Sequence, residues 1–149
     1  MNKLILISTA LLLIATTLSV GQDNSMPEVT SGTIMEAMVV IITPASDIIW
    51  GVEDPQTDEE WKVLDDAAVT LMEAFEATRA GGTGPNDNAW ASEAKFQSYV
   101  DQEMAAIEQS RAAIAARDLD ALFDAGGELY TPCEECHIDY NPAVSAEEY

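Results

Sequence analysis

Apolar residues recur at threes and fours along four segments of the chain, and none of the four shows the period-two alternation of a half-buried strand. The first segment runs from about Gly32 to Val52, with Pro44 interrupting it; between Ile34 and Trp50 its only charges are Glu36 and Asp47. The second opens on Thr57-Asp58-Glu59-Glu60, an N-cap with Glu three residues on, and steps through Trp61, Leu64, Ala68, Leu71 and Phe75. It ends at Ala80, ahead of a glycine-rich stretch over residues 81–88 that reads as a loop. The third runs from Trp90 to about Arg117 with Phe96, Val100, Ile107 and Ile114 on one stripe. The fourth starts near Asp118 and carries Leu119, Leu122, Leu129, Cys133 and His137. Four amphipathic helices with short connections predict an all-α, antiparallel four-helix bundle. Within the fourth, Thr131-Pro132-Cys133-Glu134 looks like a new helix start, so a kink or break is expected between Gly126-Gly127 and Cys133.

The ends divide the chain further. Residues 1–21 combine one Lys with a short apolar run and small residues before Gly21, the pattern of a cleaved secretory signal peptide and not of a stable membrane span. Residues 22–31 are then a flexible N-terminus, residues 32–142 the bundle, and residues 143–149 a tail. Export predicts a periplasmic protein with no membrane insertion after cleavage. Composition narrows the partners. With 27 acidic against six basic residues and a net charge of −21, the chain cannot bind nucleic acid electrostatically, and an anionic membrane surface is disfavoured. The acidity fits solubility, a saline habitat or the docking of a basic partner.

Both cysteines and the only histidine fall in one pentapeptide, Cys133-Glu134-Glu135-Cys136-His137. C-x-x-C-H is the attachment motif of c-type haem. On a helix these three residues stand at i, i+3 and i+4 and project from one face. Two thiols can then reach the two vinyl groups at one haem edge while the imidazole points at the iron from the proximal side. Structural zinc wants four nitrogen or sulfur ligands and finds three here. A thioredoxin-like pair wants a βαβ context that the periodicity does not supply. One covalent haem c, held by Cys133, Cys136 and His137, is the expected cofactor.

A C-x-x-C-H near the C-terminus of such a bundle resembles the cytochrome c-prime family. The similarity runs through Trp90-Ala-Ser-Glu-Ala-Lys-Phe96, through Arg117-Asp-Leu-Asp-Ala-Leu122, and from Cys133 to Tyr140. It covers residues 90–141 well and residues 57–80 by periodicity alone. One position departs: the family usually has a basic residue four places after the histidine, and this chain has Asn141. The resemblance implies a distal haem face supplied by the first helix, either apolar over five-coordinate iron or offering Met as sixth ligand. It also implies a homodimer through the first two helices, as in many relatives, and the first helix is apolar on more faces than one partner covers.

Met38 and Met35, three apart on that helix, are the candidate distal ligands, Met38 before Met35. Methionines on a helix also serve as core filling, which is the reading given to Met72 and Met104. Two functions follow. One is an electron carrier with His/Met-ligated iron, since Met ligation raises the haem potential; its partners would be redox proteins, a basic one suiting the acidic surface. The other is a five-coordinate binder of nitric oxide or another small gas. A third assignment makes the chain an electron-transfer subunit of a larger respiratory complex. An enzyme is not expected, because no second His or Cys stands outside the motif and the many acids read as solvated faces.

Overall fold

The computed structural model describes residues 32–141 and 143. The expected signal peptide (1–21), the flexible segment (22–31) and all of the tail except residue 143 lie outside the described residues. The elements are α1 (Ile34–Ala37), a π-helical turn (Met38–Ile42), α2 (Thr43–Trp50), α3 (Asp58–Arg79), α4 (Asp87–Ala91), α5 (Ala94–Ala116) and α6 (Leu119–Tyr140). The first three run on without interruption as one continuous helix, called the first helix below, so four long helices make the bundle.

The first helix, α3 and α6 begin where a side chain supplies a partner for the first N–H groups. Thr33 caps α1: the Glu36 N–H donates to its hydroxyl at 3.0 Å, and the Thr33 N–H donates back to the Glu36 carboxylate at 2.9 Å. Thr57 and Glu60 repeat this reciprocal pair at the start of α3, as expected. Asp118 accepts from the Ala121 N–H at 3.0 Å and starts α6. Arg117 ends α5 in the left-handed conformation, φ 54°.

Three expectations need correction. Pro44 does not interrupt the first helix. It has no N–H to donate and its ring crowds the carbonyl four residues back. The chain widens by one residue just before it, the Thr43 N–H bonding to the Met38 carbonyl five residues back, and helical winding continues. The third helix does not run unbroken from Trp90. The short α4 closes at Ser92, and α5 starts afresh after Glu93. Nor does the fourth break before the cysteines: α6 passes through Pro132. Pro132 is itself buried, in line with Leu122, Ala125, Gly126 and Leu129 on the face packed inward. Continuous packing outweighs the roughly 3 kcal/mol that an interior proline costs.

Neighbouring helices run antiparallel. The end of α3 meets the start of α5, where Arg79 donates to Gln97 and pairs with Asp101 at 2.8 Å. The end of α5 returns to the start of α3 through Arg117 and Asp58. The start of α5 meets the end of α6, where Tyr99 donates to Asp139 at 2.6 Å and Tyr140 to Glu93 at 2.8 Å. Between them lies one apolar core that includes Leu71, Phe96, Ile107, Leu122 and Leu129, all nearly or fully inaccessible. The loop after α3 then fixes the start of the first helix. Buried Asp87 accepts from the N–H groups of Ile34, at 2.9 Å, and Gly84, at 2.8 Å, and Thr83 donates to the Gly32 carbonyl. Gly81 turns this loop at φ +94°, where a Cβ would also meet Asn88.

Candidate haem site

Because α6 stays helical through Pro132, Cys133, Cys136 and His137 keep their one-face register and turn toward the bundle interior. They border a small enclosed cavity with four side chains of α5 (Phe96, Tyr99, Val100 and Glu103). Phe75 and Thr78 of α3 and Met38 of the first helix complete its walls. All four long helices therefore contribute to it.

The end of α6 is held from several directions. Asp139 takes the Tyr99 hydroxyl and the Lys95 ammonium, both at 2.6 Å, and these partners hold its carboxyl below the usual range. Tyr140 meets Trp90, Phe96 and Tyr99 edge to face with ring centroids 5.3 to 6.4 Å apart. Burial, then the Glu93 carboxylate, raises its phenol well above the ordinary value. These contacts anchor the turn that carries His137 without using the imidazole.

Both cysteines are free and half-buried. Burial raises the Cys133 thiol far above its ordinary value, with Glu103 adding to the shift, and the Cys136 thiol is pushed up to about 12 by burial first and then by Glu103 and Asp139. A reactive redox dithiol needs the opposite shift. Among the described residues no group of three or more His, Cys, Asp or Glu is arranged to hold a metal ion.

The two methionines part company. Met38 opens the π turn and lines the cavity. Met35 is 62% exposed and is not brought to it. Met72 and Met104 are partly buried against the core, as expected of filling residues.

Glu103 is the site residue that the sequence reading passed over. It is 2% exposed, and among the described residues neither carboxylate oxygen has a hydrogen-bond partner. Burial pushes its pKa up to about 7, and the nearby Cys133 thiol opposes part of that rise without reaching hydrogen-bonding geometry. A signal was there: Glu103 lies seven residues after Phe96 and four before Ile107, an acid on the helix's own apolar stripe.

The donors present fit a haem. Two thiols one helical turn apart, an imidazole beside them, a thioether from another helix and aromatic walls are what such a group needs, and the unpartnered Glu103 marks polar capacity that the protein alone leaves unused. The cavity measures only about 20 Å³, so its walls must part to admit a macrocycle. The seam between the first helix and α6 suits this, because these two helices meet less extensively than α6 and α5 do.

A helical bundle with this donor set defines the class of haem-binding c-type cytochromes. The model of the Cytochrome C' family matches residues 35–141, and the chain belongs to that family. Its cofactor is haem c. No curated protein and no solved structure matches it.

Proposed function

We propose that the protein is an exported monohaem electron carrier, with haem bound through Cys133 and Cys136 and its iron held between His137 and Met38. One observation carries the choice: Met38 and His137, from different helices, border the same cavity. Bound haem supplies a one-electron iron couple, and the chain's own residues set its conditions. Cys133 and Cys136 would hold the ring to α6 as thioethers, each S–H adding across one vinyl group. His137 is held in place by the anchored turn around Asp139 and Tyr140. The soft thioether of Met38 would favour the reduced state and raise the potential. Phe75, Phe96 and Val100 keep water away.

The five-coordinate gas-binding reading draws support from the same apolar walls, which would admit a small neutral ligand and reject anions. Met38→Leu separates the two. On the carrier reading it lowers the potential and opens the iron to carbon monoxide, while Met35→Leu changes neither. If wild type already binds carbon monoxide freely and Met38→Leu has no effect on its potential, the gas-binding reading replaces it.

Periplasmic export and cleavage of residues 1–21 belong to this proposal, as does the absence of enzymatic turnover. Among the described residues no helix is long and apolar enough to cross a membrane. Homodimerisation through the first two helices is proposed too; exposed Met35, Val39 and Val40 on the first helix support it. Sedimentation as a monomer at micromolar concentration would remove that part alone.

A further inference from the structure

At the far end of the first helix from Met38, Trp50 lies across α6. Its indole N–H donates to the Gly126 carbonyl at 2.9 Å, and its ring meets Tyr130 edge to face at 6.4 Å. Gly126 permits this approach, since a Cβ there would come within 3.4 Å of the indole. Beside it, a Cβ on Gly127 would meet nothing. The result is an open groove of about 250 Å³ bordered by Trp50, Phe123, Gly127 and Tyr130. Phe123 and Tyr130 are 53% and 56% exposed, and Trp50, despite its hydrogen bond, is 41% exposed. Aromatic side chains left half in water are the usual anchors of a protein interface.

Charge around the groove is one-sided. Exposed Asp120, Asp124 and Glu128 follow one another at four-residue steps, on the side of the Phe123–Tyr130 stripe away from Trp50. Exposed Asp47 lies one helical turn before Trp50 on the first helix. Every described Lys and Arg stands elsewhere: Lys62 and Arg79 on α3, Lys95 and Arg111 on α5, and Arg117 at its cap, each in an ion pair. Neither the first helix nor α6 carries one. An apolar centre flanked by acids and without a cation matches a partner whose apolar contact patch is flanked by lysines or arginines. A second copy of this chain would set acid against acid.

We propose that the Trp50–Phe123–Tyr130 groove is the docking face for a basic redox protein. This rests on the electron-carrier reading and gives it a route. Tyr130 stands one helical turn before Cys133, a rise of about 4.5 Å along α6. A protein seated on the groove therefore abuts the turn that holds the haem edge.

The test uses the mature haem protein and, as probe, a small class I cytochrome c of net positive charge, with binding followed by calorimetry at low and moderate salt. Wild type should bind, more weakly as salt rises. Phe123→Ala/Tyr130→Ala should bind at least tenfold more weakly, and Asp120→Asn/Asp124→Asn/Glu128→Gln should weaken binding and flatten its salt dependence. The control Glu73→Gln/Glu108→Gln, exposed acids on α3 and α5, should change neither. No binding by wild type, or affinity untouched by the aromatic pair, overturns the proposal. So does sedimentation showing that the aromatic pair holds together two copies of this chain. Binding needs no electron flow, so the spin state of wild type judges the carrier reading separately: a low-spin protein that ignores the groove substitutions loses the docking face alone.

Discussion

Two helices of this bundle carry an internal proline, and the fold treats them differently. The first helix widens into a π turn before Pro44, whereas α6 runs through Pro132 in α-helical register. The difference follows from what each must present. Cys133, Cys136 and His137 share a face only if four-residue spacing is kept, so α6 is packed along its length and tied down at its end by Tyr99, Lys95 and Glu93. The first helix delivers one side chain, Met38, and a change of register costs it nothing so long as that side chain reaches the cavity. A helix that presents three side chains on one face is held rigid, and one that presents a single side chain tolerates an adjusted register.

The largest expected effect falls on the rigid helix. Two thioethers should keep haem on the polypeptide through acid-acetone extraction and denaturing electrophoresis, and Cys133→Ala or Cys136→Ala should weaken or abolish that retention. Complete release of haem by wild type would remove the attachment argument. Next comes packing: Leu129→Ala, at a 2% exposed site on α6, should cost about 2–5 kcal/mol in urea unfolding. Val40→Ala, exposed within the π turn, should stay within about 0.5 kcal/mol. Equal costs would mean that the two helices do not differ in how they are held.

Glu103 sharpens the same contrast, because it lies against the rigid helix beside Cys133. Its pKa is raised from 4.5 to about 7 in the fold, so the folded protein binds a proton that the unfolded chain has lost. The stabilising contribution is complete below about pH 4.5 and is lost as pH rises to about 7, to a limit of about 3 kcal/mol. In the polypeptide expressed without haem, Glu103→Gln should flatten stability across that window and be the more stable form at pH 8. Parallel pH profiles for the two chains would show that the buried acid has a partner. A smaller effect is expected at the prolines. Pro132→Ala restores a helical hydrogen bond at a site already helical and should stabilise by about 1–3 kcal/mol. Pro44→Ala removes the reason for the π turn and should act instead on Met38, lowering the low-spin fraction of the ferric protein.

Much of this was legible in the residues. Thr57 with Glu60, and Asp118, marked two of the helix starts that the structure has, and the period of three and four predicted an all-α bundle. The C-x-x-C-H register required no fold at all beyond a helix. The prolines misled because local rules treat Pro44 and Pro132 alike, and only packing decides whether a helix widens, breaks or holds. Met38 ranked ahead of Met35, but at three residues apart they adjoin on an ideal helix, and it is the assembled bundle that leaves Met35 outside. Glu103 was readable in principle as an acid on an apolar stripe, but its isolation depends on what α6 places next to it.

The most direct test of the central claim, that Met38 and His137 share the iron, is the absorption spectrum of the purified ferric protein. His/Met ligation gives a low-spin spectrum with a weak far-red sulfur-to-iron band, and Met38→Leu should erase that band while Met35→Leu leaves it. A high-spin wild-type spectrum that neither substitution alters would contradict the claim and return Met38 to the packing of the core.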